Sequence, residues 1–264
     1  MTILCRSTFH DACGAAAGPK RPTGPFFSQL TSTDRRNLTI VGEVISYVPG
    51  STIFAQGAPA ARCFTVIEGV LALARRSEDQ RRQIVAFALP GDMLEFSVLQ
   101  RHELQGFAVG EALVWEVARK DFESFAAPRP HVVNILRSTI ASVMRENYIH
   151  MFALGRMSAE ERVIGFLGIW QERLRALGAS IDPLPLPMSR KELGDHLGLT
   201  IETVSRTFSK LVRSGALQIL PGGVKIMALH DGTYISSRRN RASRALTPYL
   251  RELGGAEPAH GAIV

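Results

Sequence analysis

The sequence is poor in cysteine, in histidine and in long apolar runs, and each shortage excludes something. Its three cysteines, Cys5, Cys13 and Cys63, are an odd number with no C-x-x-C pair. A disulfide framework is therefore not expected, and an iron–sulfur cluster, which ordinarily takes about four thiolates, lacks its ligand set. No apolar run reaches the ~18 residues that a membrane-spanning helix needs, and no cationic start, apolar stretch and cleavage site open the chain. These readings place the chain in the cytoplasm, with no membrane partner. Of seven histidines, His102 alone falls in the strand-like segments between residues 38 and 120. No Ser-His-Asp or paired-carboxylate arrangement stands out. An enzyme is not expected, nor a metal or other cofactor.

What is present is an ordinary globular composition, 45% hydrophobic and 21% charged, with a formal net charge of +7. The charge is uneven. From Met188 to Arg244 there are ten Lys and Arg against four Asp and Glu, a balance of +6. A basic last quarter suits a polyanionic partner, because phosphate neutralisation supplies the bulk of non-specific DNA affinity.

Texture divides the chain into an α+β protein of several parts. Residues 1–25 mix Gly, Ala, Pro and basic residues without period and read as a poorly ordered leader. Residues 26–128 form the next unit. From about 38 to 120 it consists of short apolar runs, "VISYVPGSTIFAQG", "CFTVIEGVLALARR", "QIVAFALPGDML" and "GFAVGEALVWEVA", bounded at Gly50, Gly57, Gly69, Gly91 and Gly110. Strands of that length between glycines predict an antiparallel β-roll or barrel.

After Pro128 and Pro130 comes a long helix, 129–157, in which Val133, Leu136 or Arg137, Ile140, Met144, Asn147, Met151 and Leu154 recur at helical spacing. Such a stripe could cover its own β domain. Its length of ~35–40 Å, at about 1.5 Å per residue, favours a partner helix instead. Val133, Ile140, Met144, Asn147 and Met151 are therefore the expected seam of a homodimer, with Asn147 as its register-fixing polar residue.

Residues 158–236 open on "SAEE", whose Ser158 and Glu161 have capping-box spacing, and continue through Val163, Phe166, Leu167, Trp170, Leu174 and Leu177 to Gly178. A second capping box, Ser189 to Glu192, starts a short helix at 190–197. Gly198 supplies a turn, and Thr200 caps a helix ending at Gly215. Two short helices about a glycine turn are a helix-turn-helix, and "LQILPGGVKIM" adds a hairpin wing. In the second helix Val204, Phe208 and Leu211 face inward while Glu202, Ser205 and Arg206 share the other face. Arg206 can donate twice to a guanine, Glu202 can accept from a cytosine amino group, and Ser205 can bond a base edge or phosphate. The same trio also fits a plainer arrangement, with Glu202 at a helix N-terminus and paired to Arg206 at i, i+4. The full expected DNA-contact set is Arg190, Thr200, Glu202, Thr203, Ser205, Arg206, Ser209 and Lys210. Residues 237–264 form a basic tail, "SRRNRASR" in part, that could touch phosphates.

The segment "MSRKELGDHLGLTIETVSRTFSKLVRSGAL", with its E-x-x-S-R pattern, resembles the recognition unit of the cAMP receptor protein and fumarate-nitrate reduction regulator family, most of all its FixK-type members. The likeness runs from about residue 38 to 230 and includes "PGD" at 90–92 and "SAEER" at 158–162. It implies a cyclic-nucleotide-binding-like β-roll, a homodimer, and activation of microaerobic or anaerobic genes for nitrogen fixation, respiration or denitrification. It also implies contact with RNA polymerase and a palindrome similar to TTGAT-N4-ATCAA, with Arg206 on the G·C pair and half-sites about one helical turn apart. The sensor half departs from the family. Where its nucleotide binders carry Gly-Glu-Leu and then an Arg-Ser phosphate clamp, this sequence has Glu95 and Phe96, then Gln105 and Gly106. Where its oxygen sensors place a β-roll cysteine, it has Trp115. Neither a cyclic nucleotide nor an Fe–S cluster is expected. The alternative is a ligand- or redox-responsive regulator sensing haem, nitric oxide or thiol oxidation through His102, His150 or Cys63. His102, in a polar loop, and His150, facing the dimer seam, would on the plainer reading be solvated or structural.

Overall fold

A computed structural model describes residues 20–96 and 100–227 of the chain. Each glycine-punctuated run of the first half becomes a pair of strands: β1 (Glu43–Tyr47) and β2 (Thr52–Phe54), β3 (Arg62–Glu68) and β4 (Leu71–Arg76), β5 (Arg82–Ala88) and β6 (Met93–Leu94), β7 (Gln105–Ala108) and β8 (Ala112–Ala118). One member of each pair enters a sheet of order β1-β8-β3-β6 and the other a sheet of order β2-β7-β4-β5, all antiparallel. Gly69 shows why glycine marks the corners. Its φ is +81°, and a Cβ there would lie 2.2 Å from the Glu111 carbonyl oxygen. Phe54, Phe64, Val66, Leu71, Leu94 and Val114 fill the space between the sheets.

Order begins earlier than the composition suggests. The expected leader, 1–25, is overtaken at its end by α1 (Pro25–Gln29), followed by α2 (Ser32–Ile40). Residues 1–19 lie outside the described residues. Pro25 stands in the first turn, where a missing N–H costs nothing, and Phe26 and Phe27 are buried. They pack with Leu38, Trp115, Phe122 and Val132 on the outer face of the first sheet. Lys20 pairs with Glu68 at 2.6 Å, which ties in the chain ahead of α1. The cause is apolar burial by two adjacent phenylalanines, which a reading based on glycine and proline content undervalues.

A short helix, α3 (Arg119–Ala126), leads into α4 (Pro130–Arg156), the long helix. Asp34 of α2 holds the start of α4 through Arg129 at 2.8 Å and His131 at 2.9 Å. Hydrogen bonds from Thr31 and these partners lower the Asp34 carboxyl to about 2. Then come α5 (Ala159–Ala176), α6 (Arg190–Leu197), α7 (Ile201–Arg213) and the hairpin β9 (Leu217–Leu220) and β10 (Gly223–Ile226). The hairpin is pinned to the Leu184 segment by Leu184 N–H to Val224 O at 2.8 Å and Val224 N–H to Leu184 O at 3.0 Å. The expected basic tail, 237–264, lies outside the described residues.

The two halves share a core. Ala72, Ile84, Phe87 and Phe107, on the outer face of the second sheet, belong to the same buried cluster as Leu167, Trp170, Leu193, Val204, Phe208 and Leu211.

Candidate nucleic-acid interface

Local chemistry builds the helix-turn-helix at each joint. Both capping boxes form: Ser158 with Glu161, and Ser189 with Glu192, whose backbone N–H reaches Ser189 Oγ at 3.2 Å while Ser189 N–H reaches Glu192 Oε2 at 2.7 Å. Gly198 ends α6 with φ +63°, and a Cβ on Gly194 would meet the Leu199 carbonyl at 2.6 Å. Both positions need glycine, one for handedness and one for closeness. Thr200 then caps α7 by accepting from Thr203 N–H at 3.2 Å.

Helix α7 buries Val204, Thr207, Phe208 and Leu211 and leaves Glu202, Ser205, Arg206, Ser209 and Lys210 exposed. Thr203, Ser205, Arg206, Ser209, Lys210 and Arg213 line a shallow depression of about 460 Å³. Arg213 was not expected there. It follows Arg206 and Lys210 at helical spacing on the same face, and that periodicity could have found it. The Glu202 carboxyl is held below its ordinary range by its own backbone N–H and by Thr200, then by the Arg206 charge. No Glu202–Arg206 ion pair forms among the described residues. Arg206 Nη2 instead donates to Thr203 Oγ1 at 3.3 Å. Lys210 pairs with Glu160 at the start of α5.

Arg190 sits apart from this surface. Its guanidinium stacks 3.2 Å from the Phe208 ring centroid, and burial pulls it down to about 10, still cationic at neutral pH.

The dimerisation positions also separate. Ile140, Met144 and Met151 are 42%, 48% and 65% exposed, and Val143, Tyr148 and Phe152 beside them are exposed as well. Val133 instead packs into the core under α1. Asn147 lies on the flank of the stripe and lines a cavity of about 100 Å³ between α4, α5, α6 and β5.

The candidate sensor histidines take the structural rather than the solvated place that the plainer reading allowed. His102 is 4% exposed, not solvated in its loop, with Nδ1 2.7 Å from Glu95 Oε2 and its ring against Phe54. His150 faces inward rather than to a seam. Its ring stacks on His196 at 4.2 Å and 7°, and burial lowers both imidazoles, His196 to about 3. Cys63 is buried and raised by desolvation to about 12, so its thiol stays protonated. Cys63 and His102 both contact Glu95, through its carbonyl at 3.4 Å and its carboxylate, while His150 packs on His196, and no cluster of three metal-ligating side chains occurs among the described residues. Among the described residues, side chains pack closely around Glu95 and Gly106. Phe54 lies so close to Gly106 that a Cβ would meet its ring at 2.4 Å, and Arg119 donates to the carbonyls of Ala60 and Glu95.

A β-roll, a long helix with an exposed apolar stripe and a winged helix-turn-helix with an exposed basic reading face define a DNA-binding transcription regulator. Comparison with known proteins agrees part by part. Residues 44–128 match the family model of the cyclic nucleotide-binding domain, and residues 186–217 that of bacterial regulatory proteins of the crp family. The nitrogen fixation regulation protein FixK of Bradyrhizobium diazoefficiens is 40% identical over 205 residues, 78% of this chain and 86% of the relative. The transcriptional activatory protein AadR of Rhodopseudomonas palustris is 35% identical over 199 residues, 75% of this chain and 83% of the relative. The solved structure of FixK2 from Bradyrhizobium japonicum superposes with a TM-score of 0.66 at 32% identity, covering 82% of this chain and 99% of that one. The chain belongs to the Crp/FNR family of bacterial transcription regulators, in its FixK/FNR-type branch. Among the described residues no helix is long and apolar enough to cross a membrane.

Proposed function

We propose that the chain acts as a homodimeric activator, without a cyclic nucleotide or an Fe–S cluster, on palindromes of the TTGAT-N4-ATCAA kind. The observation that carries this reading is the exposed α7 face, where Ser205, Arg206, Ser209 and Lys210 stand free of the core beside an ionised Glu202. A carboxylate among phosphates lowers affinity unless it meets a base donor, so its place beside Arg206 suits base reading rather than a phosphate clamp. Thr200 supports that face as the cap of α7, Thr203 by accepting from Arg206, and Arg190 by stacking on Phe208. The exposed apolar stripe of α4 supports dimerisation, with Ile140, Met144 and Met151 at its centre.

Ligand independence rests on the packed roll. The Glu95 carboxylate and His102 occupy the region, and the Arg119 guanidinium is engaged by carbonyls. A cyclic phosphate would meet a negative charge there without a free guanidinium to balance it. Nitrogen-fixation genes are the targets that the names of the FixK relatives support, and microaerobic genes and activation through RNA polymerase are what the family resemblance implies.

A gel-shift titration of ligand-free protein on the palindrome, and on a version with both G·C pairs changed, tests this at one fixed salt concentration. Tight binding to the first and weak binding to the second is expected. Equal binding to both would overturn base reading by the 202–206 face.

A further inference from the structure

The DNA-reading unit does not hang free of the β-roll. Beyond the shared apolar core, strand β5 makes directional contacts with a single turn of α6. Arg82 Nε and Nη2 both reach Asp195 Oδ2, at 2.8 and 2.5 Å, and Gln83 Nε2 donates to the His196 carbonyl at 2.8 Å. His196 Nδ1 lies 3.0 Å from the Ile84 carbonyl. From α5, Arg173 donates to the Phe87 carbonyl at 2.9 Å and pairs with Asp92. The Arg82 and Asp195 side chains are only 20% and 22% exposed.

Apolar contact is non-directional and permits sliding, whereas a forked guanidinium on one carboxylate fixes register. Helix α6 is eight residues long and connects to α7 through a turn whose backbone is set by Gly198 and by the Gly194–Leu199 contact. Whatever orients α6 therefore orients α7. We propose that Arg82 and Gln83 of the β-roll are positioning residues for DNA recognition, holding α6, and with it α7, at the angle to α4 that lets two reading helices meet both half-sites together. In this arrangement a built-in docking contact supplies the orientation that would otherwise have to come from an effector.

This positioning role rests on the palindrome-reading function above, and the test separates the two. Full-length Arg82→Gln, Asp195→Asn and Gln83→Ala variants are titrated on three DNAs: the palindrome, a version with one base added to the gap, and a single half-site. Arg82→Gln and Asp195→Asn should each lose about tenfold on the palindrome, as for removal of a charge-assisted hydrogen bond, and Gln83→Ala about threefold, as for a neutral one, while all three keep half-site affinity within about twofold. Their preference for the shorter gap should shrink correspondingly. An Arg82→Glu, Asp195→Arg double variant should regain most of that preference, which a general loss of stability would not produce. Variants that keep the wild-type gap preference would overturn the positioning role, as would equal losses on half-site and palindrome or a double variant as defective as the singles. Wild-type protein indifferent to the gap would instead refute the palindrome reading itself.

Discussion

At the residue scale, two side chains carry opposite lessons. Arg206 was legible as an exposed candidate for base reading because a capped amphipathic helix leaves only one face for it, and the structure leaves that face open. Arg206→Ala should cost about 1–3 kcal/mol at the cognate site and relax preference at one base pair, as read by titration against single-base variants. An equal loss on random DNA would assign Arg206 to phosphates. His196 was not legible, because its neighbours Phe87, Phe166 and His150 come from distant parts of the chain. Burial holds it down to about 3 against the ordinary value of 6.5. The unfolded chain therefore binds a proton that the folded one refuses. That contribution to stability is complete above about pH 6.5 and declines as pH falls toward 3, by up to about 1.4 kcal/mol per pH unit. Urea unfolding at pH 7.5 and 5.5 should show the decline, and His196→Gln should reduce it. A wild-type curve flat over that range would contradict the burial of this ring.

At the element scale, the strands, the two capping boxes and the recognition helix could be read directly, since each is written in short-range chemistry: glycine corners, Ser-x-x-Glu pairs, a threonine cap. Helices α1 and α2 could not, because Phe26 and Phe27 reveal their purpose only against Trp115 and Phe122, some ninety residues away. The stripe on α4 was legible as a stripe but not in its detail. A helical period cannot tell which flank meets α5, and it is Asn147, read as the polar centre of a seam, that turns toward the inner cavity. The exposed centre of the stripe makes its own prediction. Met144→Glu with Met151→Glu should convert the protein to a monomer by light scattering and weaken palindrome binding by about 100-fold or more, the factor lost when two linked contacts become one. A dimer that survives both charges would place the interface elsewhere.

At the scale of the whole molecule, the sequence showed two domains of different texture and charge but not how they meet. The docking of α6 on β5 joins residues more than a hundred positions apart and has no local signature. The packing of Phe54 against His102 in the β-roll is also non-local. Reading DNA without an effector is the central proposal. The most direct measurement is a fluorescence-anisotropy titration of the ligand-free protein on the labelled palindrome, repeated with saturating cyclic AMP at the same salt concentration. Tight binding with the same midpoint in both titrations is predicted. Binding that appears only when the nucleotide is added would contradict the account.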